Sequence, residues 1–160
     1  MKSIIFIIKS PISKVLTKGI ATLLIALLLL ICAASTFSQS LTIEISGIRN
    51  TKGKICLAFF RNEKDFKSEN PAFTKTIYKS QAKNESISVK FTDIKTGQYG
   101  IALLDDENGD GKMNYSFLIP TEGFGFSDYY HTGLRKPAFS QFCFNFKDVD
   151  KTIKIKVRYI

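Results

Sequence analysis

The sequence predicts an all-β domain, most simply an antiparallel β-sandwich of about seven strands. Apolar and polar residues alternate at period two in several short runs, and turn residues such as Gly, Asp and Asn separate these runs. No stretch shows the apolar period of a long amphipathic helix. Two sheets that bury their apolar faces on each other satisfy these patterns, as in immunoglobulin-like or prealbumin-like folds. A small closed β-barrel is the alternative.

The first two runs of the predicted domain indicate an opening pair of strands. Leu41, Ile43 and Ile45 alternate with polar residues, which puts one set of side chains in a core and the other in water. Residues 54–60 (KICLAFF) are apolar at nearly every position, as expected of a central strand that is covered on both faces. Because turn residues at 50–53 separate the two runs, we expect them to form a hairpin.

The rest of the chain continues the β pattern up to one long exception. A short helix is expected around residues 62–66. Further strands are predicted at residues 74–79, 86–91, 99–104, 142–146 and 153–159. The interval 105–138 is rich in Gly, Asp, Asn and aromatic residues and has no clear period. Loops of that length in compact domains are often functional, so we expect the site to lie there.

The N-terminal 38 residues have the order of a secretory signal peptide. A basic start without acids precedes an uncharged apolar run at 20–34, and small or polar residues follow it. A cut before Gln39 would leave residues 39–160 as a single β-sandwich domain in the periplasm or outside the cell. An uncleaved membrane anchor is the alternative, although the run is shorter than the roughly 20 residues of a typical span.

The charge of the chain argues against nucleic acid as a partner. The full sequence has a formal charge of +9, from 23 Lys and Arg against 14 acids. Four of these Lys lie in the signal segment, so residues 39–160 carry 19 basic and 14 acidic side chains, a net charge of +5. Those basic residues are scattered and form no basic helix or cluster. With 44% hydrophobic residues, the chain can build a core.

The long interval begins with a candidate calcium loop. Its acidic stretch follows the first half of a calcium-binding pattern, in which alternate side-chain oxygens of a curled loop point at one cation. Oxygen ligands suit a hard cation such as Ca²⁺. The candidate ligands are Asp106, Asn108, Asp110, the backbone carbonyl of Lys112, and Asn114. No other cofactor is expected.

The same loop departs from the EF-hand pattern. Position twelve is Phe117, where an EF-hand has a bidentate Glu, and no helix pattern flanks the loop. Glu122 or Asp128 could return to complete the ligand shell. The alternative is a polar turn, because Asp, Asn and Gly favour turns on their own account.

A second candidate site is a set of aromatic residues after the acidic loop. Exposed rings there would suit a glycan or a protein of the cell envelope. The alternative is a loop that folds its aromatics over one open end of the sandwich. The candidate contacts are Glu122, Phe124, Phe126, Tyr129 and Tyr130.

Other chemistry receives little support from the sequence, and no catalytic residue is assigned. Asp105, Asp106 and Glu122 would serve a hydrolase only if two of them faced one pocket. His131 is the single His of the chain, which makes a zinc site a poor interpretation. Cys56 and Cys143 would either form one disulfide or pack as two small apolar side chains.

Three spaced motifs carry a family resemblance: LTIEISGIRNTKGKICLAFF at 41–60, GQYGIALLDDENGDGKMN at 97–114, and IPTEGFGFSD at 119–128 followed by Pro-Ala-Phe. On these motifs the chain resembles a bacterial secreted family called domain of unknown function 2141. The resemblance implies a signal peptide and an all-β fold, and it implies no activity. Asp105 stands where many members have His, and Asn114 stands where Asp is usual. The second departure removes one negative charge from the candidate ion site.

Overall fold

The computed structural model describes residues 39–160, apart from Lys83, Leu134 and the side chain of Gln81. The predicted signal segment, residues 1–38, lies outside the described residues. The described part is all-β, with ten strands, one α-helix and two short 3₁₀ turns. No helix in this part is long and apolar enough to cross a membrane.

The strands follow one another along the chain as predicted, with additions in the long interval. They are β1 (Leu41–Ser46), β2 (Lys54–Phe60), β3 (Phe73–Tyr78), β4 (Ser86–Phe91), β5 (Gly97–Asp106), β6 (Tyr115–Ser116), β7 (Ile119–Pro120), β8 (Gly123–Phe126), β9 (Cys143–Phe146) and β10 (Lys151–Lys156). The helix α1 spans Glu63–Lys67, and the 3₁₀ turns span Lys79–Gln81 and Phe139–Gln141. The interval 105–138 therefore contains three short strands, β6, β7 and β8, that the sequence patterns did not predict.

Two sheets and one small hairpin contain these strands. The first sheet has the order β10-β1-β4, and the second has the order β3-β2-β5-β8 with β9 also paired to β5. The strands β6 and β7 pair only with each other. Because the strands divide among separate sheets, the alternative prediction of one closed barrel is wrong.

The predicted opening hairpin is also wrong. The strand β1 lies in the first sheet, where it pairs antiparallel with β4 and parallel with β10, whereas β2 lies in the second sheet between β3 and β5. The connection 47–53 is long enough to carry the chain from one sheet to the other, and its turn residues alone do not distinguish that crossing from a hairpin. The parallel β1–β10 pair joins the two ends of the domain and has no local sequence signal.

The main core draws its side chains from both sheets. The alternating residues predicted to face inward in the first and last strands are buried except for Tyr159, which is half-buried, and Leu41, Ile43 and Ile153 are fully buried. The main cluster contains Leu41, Ile43, Ile45, Ile48, Ile55, Leu57, Phe59, Ile77, Ile87, Ile94, Tyr99, Ile101, Leu103, Phe146, Ile153, Ile155 and Val157. Burial of apolar side chains of this kind is the dominant favourable term in folding.

A second cluster of buried aromatic rings explains the short helix. Phe66 of α1 packs edge-on against Phe60 and Phe142, with ring centroids 5.2 and 4.9 Å apart. Asn62 caps the helix, because its side chain accepts the Asp65 N–H at 2.9 Å. The helix predicted around residues 62–66 is thus present, shifted by one residue.

The two cysteines of the described residues are free thiols. Cys56 on β2 lies opposite Leu104, and Cys143 on β9 lies opposite Gly100. Because β2 and β9 pair with the two different edges of β5, that strand separates the thiols. The structure therefore has no disulfide, so the first of the two alternatives from the sequence is wrong.

A matched pair of glycine substitutions tests how tightly the 47–53 connection is packed. Gly53 and Gly109 both have positive φ, but an added Cβ at Gly53 would lie 2.0 Å from the Asp106 carbonyl oxygen, whereas nothing lies within 4 Å at Gly109. We expect G109A to cost about 1 kcal/mol of unfolding free energy from backbone strain, and G53A about 3 kcal/mol because the clash adds to the strain. Urea unfolding of both variants measures this, and equal losses would contradict the packing.

Candidate functional site

Four segments of the chain meet at one end of the domain, which we call the loop end: residues 47–53, 105–114, 115–122 and Tyr159. The guanidinium of Arg49, in the first segment, contacts the other three. It donates to both carboxylate oxygens of Glu107, at 2.6 and 2.8 Å, and to the Thr121 carbonyl at 3.1 Å. It also lies 4.3 Å from the centroid of the Tyr159 ring. This fork holds the pKa of Glu107 below its usual value.

Asp106 supports the acidic loop from beneath. Its side chain is fully buried, and its two carboxylate oxygens accept the N–H groups of Gly109 at 2.8 Å and Gly111 at 2.9 Å. The Lys54 ammonium lies 3.4 Å from the same carboxylate and donates to the Gly109 carbonyl at 3.1 Å. Asp106 therefore sets the curl of the loop, and Lys54 balances its charge.

Three other candidate ligands meet at the solvent side of the loop. The Asn108 amide nitrogen lies 3.1 Å from Asp110 Oδ2 and 3.1 Å from Asn114 Oδ1. The Asn114 amide donates to the same Asp110 oxygen at 3.2 Å. Asp110 Oδ1 accepts the Lys112 N–H at 2.8 Å, and this bond contributes most to holding the pKa of Asp110 below its usual value. The loop thus brings one carboxylate and two amides to a common point.

The side chains of this loop that could bind a cation carry little negative charge. Within the described part of the chain, no three His, Cys, Asp or Glu side chains meet in an arrangement that would hold a metal ion. Asp110 is the single carboxylate at the point where Asn108 and Asn114 meet it, and all the groups there are hard oxygen or amide groups. Side-chain oxygens of this kind are the ligands that a hard cation prefers.

Glu122 ties the hairpin to the loop. Its side chain is buried, and its two oxygens accept the N–H groups of Glu107 at 3.0 Å and Asn114 at 3.2 Å. Beside it lies an open depression of about 300 Å³. The depression is lined by Lys52, Glu107, Asn108, Asn114, Thr121 and Glu122.

A fully buried ion pair lies behind the loop end. The Lys79 ammonium is 2.5 Å from Asp105 Oδ1 and donates to the Asn50 side chain at 3.2 Å. The Tyr159 hydroxyl donates to the other Asp105 oxygen, and burial together with this bond raises the pKa of Tyr159. Sequence reasoning missed Lys79. The available signal was Asp105 itself, because an acid at the end of an apolar strand requires a buried partner.

The three carboxylates of the hydrolase interpretation do not share a pocket. Glu122 lines the depression, but Asp105 and Asp106 are fully buried and engaged by Lys79 and by the amides of the loop. Of these three carboxylates only Glu122 therefore lines the depression, so no two of them share the pocket that this interpretation needs.

The aromatic candidates do not form one exposed face. Phe126 is buried, and Phe124 is half-buried with the Arg158 guanidinium 5.8 Å from its ring centroid. Tyr129 is half-buried and its hydroxyl accepts a hydrogen bond from Gln141 at 3.0 Å. Tyr130 alone of the four is exposed.

The two remaining candidates lie away from the acidic loop. Asp128 accepts the N–H of Lys154 on β10 at 2.7 Å, so its carboxylate already joins the segment after β8 to β10. His131 has its Nε2 atom 2.6 Å from the Arg135 carbonyl. Glu122 is thus the candidate from the later part of the interval that reaches the acidic loop.

Comparison with known proteins assigns the family. The family described as "Uncharacterized protein conserved in bacteria (DUF2141)" matches residues 43–154, which include the acidic loop, the hairpin and Glu122. The chain belongs to this family. The resemblance drawn from the three sequence motifs is thereby confirmed. No curated protein and no solved structure matches the chain.

The buried ion pair of this DUF2141 member yields a test of the base of its loop end. Replacing Lys79 in K79M would leave the Asp105 charge buried without its cation, so we expect a loss of about 3–5 kcal/mol of unfolding free energy. The control K154M changes an exposed Lys on β10 and should stay within about 0.5 kcal/mol of the parent.

A double variant separates the lost charge partner from the lost packing. K79M combined with D105L should recover much of the stability, since an apolar pair replaces an ion pair of similar volume. Urea unfolding gives all three values. Equal stability of K79M and K154M would show that the ion pair does not contribute to the free energy of unfolding.

Proposed function

We propose that this protein is an exported β-sandwich binding module whose acidic loop takes Ca²⁺. The observation that carries the proposal is the meeting of Asn108, Asp110 and Asn114 at the solvent side of the loop, with amide and carboxylate atoms 3.1 to 3.2 Å apart. An amide nitrogen there bridges two oxygens of other side chains. A cation would satisfy the same oxygens with a full positive charge.

The composition of the set predicts a weak site. Calcium takes six to eight oxygens, and its affinity falls with the number of charged ligands. One carboxylate with two amides places the proposed site near the range of extracellular modules, with dissociation constants of about 10⁻⁴ to 10⁻³ M. Asp110 supplies the charge, Asn108 and Asn114 supply amide oxygens, and the carbonyl of Lys112 completes the part that the sequence pattern indicates.

Asp106 has a positioning role in this proposal. Both of its oxygens accept loop N–H groups, and Lys54 lies beside it. The loop backbone is therefore curled before any cation arrives, which lowers the ordering cost of binding.

The export part of the proposal is supported by the N-terminal pattern and by the start of the fold. Ser40 is buried, and its backbone N–H and its hydroxyl donate to Asp150 at 2.8 and 2.7 Å. The fold therefore holds the chain from the second residue after the predicted cut. The sandwich assignment is supported by the main core, which draws on both sheets.

Processing of the N-terminal segment provides one test. When the full chain is expressed in a bacterium with an export pathway, we expect a mature protein that begins at Gln39 in the periplasm or the medium, because small residues precede that position. Mass spectrometry of the intact product measures its start. S38F places a large side chain at the cut and should leave the segment attached. Parent protein that stays full-length in the membrane fraction would instead support an uncleaved anchor.

Calcium titration tests the loop. The protein should bind Ca²⁺ in calorimetry and melt at a higher temperature in millimolar Ca²⁺, since a ligand of the folded state stabilises it. D110N removes the one charged ligand and should weaken binding by about tenfold or more. N114D adds a carboxylate at the same point and should tighten binding by about tenfold.

The matched control for D110N is D148N. Asp148 is an exposed acid in the turn before β10, at the opposite end of the strands, so its loss should leave the calcium affinity unchanged. Absence of heat and of a melting shift in both the parent and N114D would refute the calcium proposal. If D110N and D148N weakened calcium binding equally, the binding would be an effect of net charge and not of a site in the loop.

A further inference from the structure

The hairpin β6–β7 carries the most exposed apolar residues of the described chain. Phe117 and Leu118 at its tip are 99% and 93% exposed. Tyr115 and Ile119 on its two strands are 60% and 46% exposed. Apolar side chains of this size gain free energy when they leave water, so a projecting group of four is a candidate contact surface.

The tip also has an unusual backbone. Phe117 and Leu118 both have positive φ, 47° and 69°, a conformation that two-residue hairpin turns normally assign to Asn and Gly. Bulky residues in this region are strained. Strain and exposure of large apolar side chains both oppose folding, and neither is offset by packing within the described structure. Contact of the tip with another molecule would explain why Phe117 and Leu118 occupy these turn positions.

The base of the hairpin holds this tip away from the domain. The Thr121 N–H donates to the Asn114 carbonyl at 2.9 Å and closes the hairpin, and Glu122 binds the Asn114 N–H. The tip therefore projects from a fixed support.

We propose that the hairpin inserts Phe117 and Leu118 into the surface layer of an anionic lipid bilayer. The residues follow the order of interfacial insertion, with Phe and Leu at the tip and Tyr115 behind them at the level of the headgroups. Lys52 on the rim of the depression and Lys112 just before the hairpin are exposed, and neither forms an ion pair within the described chain. With the tip inserted, their charges would lie close to the lipid phosphates.

The size of the patch favours lipid over a protein partner. The four exposed side chains of the hairpin offer a few hundred Å² of apolar surface, below the roughly 800 Å² per partner of a standard protein interface. The acidic loop beside the hairpin is polar and adds no apolar rim. A bilayer needs no complementary groove, and the exposed Lys52 and Lys112 supply positive charge close to the hairpin.

The absence of Trp from the sequence permits a clean experiment on the full chain. F117W places a single indole at the tip, and V149W places one at an exposed position in the turn before β10, far from the hairpin. Both proteins carry the same N-terminal segment, so binding through that segment affects them equally. The probes are vesicles of phosphatidylglycerol and phosphatidylcholine in equal parts, and vesicles of phosphatidylcholine alone.

Insertion of the tip predicts a difference between the two reporters. The F117W fluorescence should shift to shorter wavelength and be quenched by brominated lipid in the anionic vesicles, whereas the V149W fluorescence should change little. Adding L118S to F117W should raise the lipid concentration for half-maximal shift by about tenfold or more. Adding K52Q or K112Q should raise it by about fivefold each in the anionic vesicles.

Three results would overturn the proposal. Equal responses of F117W and V149W would show that the N-terminal segment alone binds the vesicles. A shift of F117W that grows with protein concentration without lipid would show that a second copy of the chain covers the tip. An unchanged response in K52Q and K112Q, with equal shifts on both kinds of vesicle, would remove the anionic surface as the ligand.

Discussion

The loop end depends on two consecutive acids at the end of β5. Successive side chains of a strand point to opposite sides, so Asp105 and Asp106 are both buried but meet different partners. Asp105 binds Lys79 and Tyr159, which belong to segments after β3 and after β10. Asp106 binds Lys54 and two amides of the acidic loop. One acid therefore connects distant segments of the domain, while the other shapes the loop that leaves the strand.

This arrangement explains why most of the acidic stretch is not available to a ligand. Four acids lie within residues 105–110, but three of them are neutralised by the fold, since Glu107 also binds Arg49. Asp105 and Asp106 are fully buried, and because a buried carboxylate without a partner would cost several kcal/mol, these two need their cations. Of these four acids only Asp110 is exposed, and hydrogen bonds from amide groups hold its carboxylate. The charge that can respond to a ligand is a single carboxylate at the tip of the loop.

Local sequence patterns predicted most of the strands, but they did not predict which distant strands pair with each other. The bounds of β2 and β4 agree with the predicted runs, because alternation and apolar runs report burial directly. The parallel β1–β10 pair joins residues more than a hundred positions apart, and turn residues between β1 and β2 do not reveal which sheet each strand enters. The buried position of Lys79 was not predicted because its partner, Asp105, is distant in sequence. The hairpin β6–β7 was not predicted because Phe and Leu occupy turn positions where Gly or Asn is the usual signal.

Asn114 connects the two proposed surfaces. Its side chain meets Asn108 and Asp110, its N–H binds Glu122, and its carbonyl accepts the Thr121 N–H that closes the hairpin. A cation held by its side chain would therefore restrain the residue from which the hairpin starts. A restrained base narrows the orientations of the tip, and fewer orientations mean a smaller entropic cost when the tip enters another phase. Asn114 belongs to both the acidic loop and the base of the hairpin, so the two proposed surfaces share one residue.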